Sequence, residues 1–175
     1  LHETGDIEGA ISSSLRATVI RPHYVEAYNT LGMALRAAGR AQEAVETYRK
    51  ALSVDGQNAD SWNNLGVACK ELGRFEDEMD CYRQVLSLYP DFADAHYNMG
   101  CALQEDGMME NAAKCLARSY TLRPRSQTLL RIATMLPVIP GSTTDIKEAR
   151  ENFEAGIDEL EKSGVAMLNP AHETE

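Results

Sequence analysis

Glycine recurs at Gly32, Gly66 and Gly100, and again at Gly39, Gly73 and Gly107, both sets at intervals of 34 residues. This double comb constrains the chain more than its composition does. It cuts the sequence into three aligned units, residues 25–58, 59–92 and 93–126. A fixed period of this size predicts a solenoid, in which each unit buries its apolar face on its neighbours.

Each column of the comb has a physical reading. Gly32, Gly66 and Gly100 fall mid-helix, where glycine costs about 1 kcal/mol against alanine, so close approach of a partner helix must offset the loss. Gly39, Gly73 and Gly107 fall where a first helix ends, as expected of a left-handed C-terminal cap. Leu31, Leu65 and Met99 stand four residues before Leu35, Cys69 and Leu103, so each pair shares one apolar helix face. Pro90 and Pro124 close the second helix, a role Gly56 takes in the first unit. The register predicts helix pairs over 25–38 with 41–54, 59–72 with 75–88, and 93–106 with 109–122. Glu78 stands out, because its column otherwise carries Ala44 and Ala112 where two helices meet. A buried carboxylate is costly without a partner, so its head is expected to reach solvent or a basic neighbour.

The unit resembles the tetratricopeptide repeat, two antiparallel helices per unit. The second unit carries the resemblance in Trp62, Leu65, Gly66, Cys69, Gly73, Tyr82 and Pro90. The first carries it in Tyr28, Leu31, Gly32, Leu35, Gly39, Ala44, Tyr48 and Ala51, the third in Met99, Gly100, Leu103, Gly107, Ala112 and Pro124. The resemblance implies an all-α, right-handed superhelical solenoid. Gly5, Ala10, Ala17 and Pro22 fit the same columns one period earlier, which makes residues 6–20 the second helix of a unit lacking most of its first, and the chain a fragment of a longer protein. The organisation expected is therefore a partial repeat over 1–22, repeats over 25–58, 59–92 and 93–126, capping helices and a junction over 127–163, and a tail or linker over 164–175.

The net charge of −10 argues against a binder of phosphate backbones, and Lys and Arg are scattered among acids without forming a stripe. No apolar run nears the roughly 20 residues needed to span a bilayer. Cys69, Cys81, Cys101 and Cys115 form no C-x-x-C pair, and His2, His23, His96 and His172 supply no convergent metal ligands. The thiols read as small packing residues in a reducing, cytoplasmic compartment. No Gly-rich phosphate loop, nucleophile elbow or H-E-x-x-H is present. His96 shares a column with Tyr28 and Trp62, which points to packing. No catalytic, cofactor or metal site is expected in this chain.

In tetratricopeptide solenoids the first helices line a concave groove. In this register the inward residues are Asn29, Thr30 and Met33, then Asn63, Asn64, Val67 and Lys70, then Tyr97, Asn98, Cys101 and Gln104. Asn64 and Asn98 hold one column in adjacent repeats. An amide both donates and accepts, so such a row suits the backbone of an extended peptide whatever its side chains. Co-chaperone repeats instead clamp a terminal carboxylate with Lys, Asn, Asn, Lys and Arg. Here those columns hold Asn29, Met33, Asn64, Asp94 and Asn98, and Asp94 would repel a carboxylate.

After Pro124 the comb fails. Residues 126–136 can start a helix that Pro137 and Pro140-Gly141 end. Asp145 and Glu148 resemble an N-terminal cap and its partner. Ile146, Ala149, Phe153, Ile157 and Leu160 then form one apolar stripe, predicting an amphipathic helix over 144–162. Arg131, Met135 to Ile139, Ser142-Thr143, Ile146, Arg150 and Phe153 resemble the segment joining repeats to a catalytic domain in bacterial SPINDLY-like relatives of O-GlcNAc transferase. That resemblance implies the substrate-selecting arm of a nucleotide-sugar-dependent protein glycosyltransferase. The alternative is a stand-alone scaffold or a self-assembly module associating through its exposed solenoid ends.

Overall fold

The computed structural model of the protein describes residues 2–133, with side chains from Ile7 to Ile132. Its helices are α1 (His2–Ile20), α2 (Val25–Ala37), α3 (Ala41–Val54), α4 (Ala59–Glu71), α5 (Phe75–Leu88), α6 (Ala93–Glu105), α7 (Met109–Leu122) and α8 (Ser126–Ala133). No strand occurs among the described residues. The molecule is an all-α solenoid of helix pairs. The second helix of each pair has the expected bounds, and the first ends one residue early.

The early ends have a common cause. Gly39, Gly73 and Gly107 take φ of +74°, +67° and +84°, and the chain closes on itself twice around each. The glycine N–H donates to the carbonyl of Arg36, Lys70 or Gln104, and the next residue's N–H donates to Leu35, Cys69 or Leu103. This paired closure satisfies carbonyls the helix end would leave orphaned.

The mid-helix glycines are explained by what lies against them. A β-carbon at Gly66 would stand 2.6 Å from Tyr82 Cε1, and one at Gly100 would stand 2.8 Å from Leu116 Cγ. At Gly32 it would collide with the ring of Tyr48. Tyr48, Tyr82 and Leu116 are each wholly buried, so burial of these large groups offsets the helix-propensity loss. A second set of columns ties each pair to the turn before it. Tyr28 Oη donates to the Pro22 carbonyl at 3.2 Å and Trp62 Nε1 to Gly56 at 2.9 Å. His96 Nε2 stands 2.8 Å from the Pro90 carbonyl, which fixes the ring proton on Nε2 and gives His96 the structural role expected of its column.

At the N-terminus the structure departs from the comb. The columns place a turn at Gly5 and a helix start at Asp6, but α1 runs unbroken from His2. The other turn glycines fold back because a first helix packs on a second; α1 has no such partner among the described residues, and glycine accepts helical φ as readily as a turn. Otherwise α1 behaves as a second helix, packing on α2 as α3 packs on α4. The helix expected over 144–162, the junction beyond Ala133 and the tail over 164–175 lie outside the described residues.

The first helices α2, α4 and α6 touch one another in succession, and the second helices show no comparable contact. The first helices therefore form the inner layer. The core beneath divides into two groups. One joins Ile11, Leu31, Leu35, Val45, Tyr48, Leu65 and Cys69, the other Met79, Tyr82, Ala102, Leu103 and Ala112.

Candidate partner-binding groove

The candidate groove residues all lie on α2, α4 and α6. Thr30 and Met33 are exposed, Cys101 is buried, and Asn29, Asn63, Asn64, Val67, Lys70, Tyr97, Asn98 and Gln104 are half-buried. Their amides do different work. Asn29 locks two repeats together: its Oδ1 accepts from Ser61 Oγ at 2.7 Å and its Nδ2 donates to Asn58 Oδ1 at 3.3 Å. Asn58 in turn caps α4 by accepting from the Ser61 N–H at 2.9 Å. Asn98 Nδ2 donates to Asn63 Oδ1 at 3.0 Å, which leaves it a second N–H and its own carbonyl oxygen. The Asn64 side chain forms no hydrogen bond within the described residues.

Between α4, α6 and α8 the groove deepens into a recess of about 430 Å³, lined by Val67, Lys70, Glu71, Tyr82, Tyr97, Asn98, Cys101 and Arg131. Five of these are expected groove residues. Glu71, Tyr82 and Arg131 are additions the repeat register does not foresee. Arg131 Nη1 donates to Gln104 Oε1 at 2.8 Å, and its guanidinium lies 6.0 Å from the centre of the Tyr97 ring. Tyr82 reaches the recess from α5 by passing over Gly66, and its buried hydroxyl lies against the Glu78 carboxyl. Burial pushes its pKa up, with Glu78 adding to the shift, so the hydroxyl keeps its proton.

The basic residues are less scattered than the sequence suggests. Arg36 on α2 pairs with Glu71 on α4 at 2.6 Å, and Lys70 on α4 pairs with Glu105 on α6 at 2.5 Å. Both pairs, like Asn63–Asn98, span 35 residues, one period plus one. A cation in one column followed by an acid in the next column, one repeat later, was the legible signal. Asp94 also departs from expectation. Arg123 Nη1 and Arg125 Nη1 each lie 2.9 Å from its carboxylate, so its charge is compensated.

Glu78 overturns the expectation that its head would reach solvent or a basic neighbour. It is 4% exposed, and its buried carboxyl lies against the Tyr82 hydroxyl with no ion pair among the described residues. The register holds around it, so the carboxyl, and not the alignment, is the misfit. Burial raises its pKa above the usual carboxylate value; Lys70 opposes the shift and Glu105 adds to it. The group escapes the cost of a buried charge by favouring its neutral form.

Two family models, each described as a tetratricopeptide repeat, match residues 23–91 and 81–117, which together span more than half of the chain. The chain belongs to the tetratricopeptide repeat family. It is 43% identical over 56 residues to small glutamine-rich tetratricopeptide repeat-containing protein 2 of Mycosarcoma maydis. That match takes in 32% of this chain and only 16% of the relative's length. Among solved structures, a crystal structure of MamA protein superposes with a TM-score of 0.74 at 22% identity, covering 97% of this chain and 92% of that one. PilF of Pseudomonas aeruginosa superposes with a TM-score of 0.77 at 24% identity, covering 94% and 72%. At such identities the likeness is one of fold. The family makes this chain a protein-interaction module. No described helix is long and apolar enough to cross a membrane.

Proposed function

We propose that the groove holds an extended segment of a partner polypeptide and seats one partner side chain in the recess between α4, α6 and α8. The observation that carries this reading is the pre-formed recess on the inner layer, beside amides of Asn64 and Asn98 with bonds to spare. Titration against a panel of unrelated peptides tests this. Asn64→Ala with Asn98→Ala removes two hydrogen bonds worth about 0.5–1.5 kcal/mol each, so affinities should fall roughly tenfold or more across the panel. Unchanged affinities across the panel would sink the groove reading.

The larger role, substrate-selecting arm of a nucleotide-sugar-dependent protein glycosyltransferase, is supported by the tail's sequence alone, most of it beyond the described residues. Its discriminator is the full-length sequence past Glu175, where a few hundred residues of α/β pattern would support the enzyme arm. A stand-alone scaffold that self-associates is supported by α1, where Leu15, Val19 and Ile20 are 52%, 73% and 77% exposed. A concentration-independent monomer by light scattering would exclude self-association. Cytoplasmic residence is supported by the four free thiols.

A further inference from the structure

Behind the groove, α3, α4 and α5 line an open cleft of about 850 Å³. Cys69 of α4 and Cys81 of α5 both line it, along with Trp62, Arg49 and Asp77. The two thiols belong to one buried cluster, at 1% and 5% exposure, and no partner-binding role engages them. They sit in paired columns across the two helices of the second repeat. The first repeat places Leu35 and Thr47 there, and the third places Leu103 and Cys115. Only the second repeat therefore sets two sulfurs against each other. We propose that Cys69 and Cys81 form an oxidisable dithiol that closes to a disulfide within the repeat when a low-molecular-weight disulfide enters this cleft.

The chemistry follows from the asymmetry of the pair. The interaction between the two thiols holds the Cys69 pKa down and, with burial, pushes that of Cys81 up. The thiolate is the nucleophile in exchange, so Cys69 attacks first. Its Sγ bonds to one sulfur of the small disulfide, the S–S bond breaks, and the other half departs as a thiolate that takes up a proton. Cys81 then loses its proton to solvent and attacks Cys69 Sγ. The protein disulfide forms and the second half of the oxidant departs, again as a thiol. Two protein thiols are oxidised and one small disulfide is reduced to two thiols. Closure brings the sulfurs to about 2.05 Å.

The test treats the whole chain with 2-hydroxyethyl disulfide, a small neutral probe, then alkylates the remaining thiols and maps them by mass spectrometry. Exposure alone ranks Cys115 first, since it is the least buried of the four. The dithiol instead requires a Cys69–Cys81 linked peptide, two hydrogens lighter and reversed by reductant, while Cys101 and Cys115 remain at least tenfold less modified. Cys81→Ser should trap the probe on Cys69, and Cys69→Ser should leave Cys81 unmodified. Trp62, the sole tryptophan, lines the same cleft, so its fluorescence should fall as the bridge forms and recover on reduction. The proposal is overturned if Cys115 reacts first without any bridge, if the linkage forms only in denaturant, or if the pairing scrambles among all four thiols. The wild-type thiol map decides between these outcomes, so the result does not depend on either variant folding.

Discussion

Position twenty of the repeat is alanine at 44 and 112 and glutamate at 78, and all three are buried. The raised pKa of Glu78 makes this one side chain a source of pH dependence. Below the ordinary value of 4.5 the carboxyl is neutral in both folded and unfolded chains, and its neutral form suits burial. As pH rises, the unfolded chain releases its proton first, so stability falls until the raised folded value is passed and is flat above it. Glu78→Gln cannot ionise and should lack that slope; urea unfolding of both proteins from pH 4 to pH 8 checks it, and parallel curves would contradict it. Glycines make the complementary case. Gly9 has nothing within 4 Å of where a β-carbon would sit, so Gly9→Ala should stabilise by about 1 kcal/mol. At Gly66 the Tyr82 ring stands in the way, and Gly66→Ala should cost about 1–3 kcal/mol as overpacking outweighs propensity. Denaturation midpoints moving in opposite directions would bear out both.

Helix α4 differs from its siblings at its first turn. The positions before α2 and α6, Tyr24 and Phe92, provide no side-chain cap, whereas Asn58 caps α4 and also meets Asn29 and Ser61 across the repeat boundary. Asn58→Ala removes the cap and the bond from Asn29 Nδ2, while the Ser61 hydroxyl keeps Asn29 Oδ1, so it should cost about 1–2 kcal/mol. Hydrogen exchange should localise the loss to the first turn of α4. The bounds of such helices were legible because Gly39, Gly73 and Gly107 act through local backbone geometry, which the sequence carries directly. The same phase put the candidate groove residues on α2, α4 and α6. What escaped was set by distance in space: Asn29 is an inter-repeat lock, Tyr82 enters the groove from the outer layer, and Arg131 arrives from a helix beyond the comb. Gly5 matched the pattern and misled, since a turn column only folds back when a partner helix is there to meet it.

The molecule's core divides at α5, whose Cys81 belongs to one buried group while Met79 and Tyr82 belong to the other. Glu78 sits at that seam, and α5 meets α6 over a smaller surface than α3 meets α4. In a solenoid, stability is a sum over neighbouring units, so the weakest junction opens first. Native-state hydrogen exchange should show α6 and α7 opening together at lower free energy than α2–α4, with Glu78→Gln narrowing the gap; a single uniform opening energy would contradict it. The 35-residue step of the cross-repeat pairs reaches further. The second repeat carries a cation, Lys70, directly before an acid, Glu71. Were residues 59–92 copied in tandem, Lys70 of the first copy would face Glu71 of the second, while Arg36 and Glu105 would keep partners at the outer joints. The middle unit is thus a tile whose two edges fit each other, so gene duplication can lengthen this chain without a new joint having to be invented.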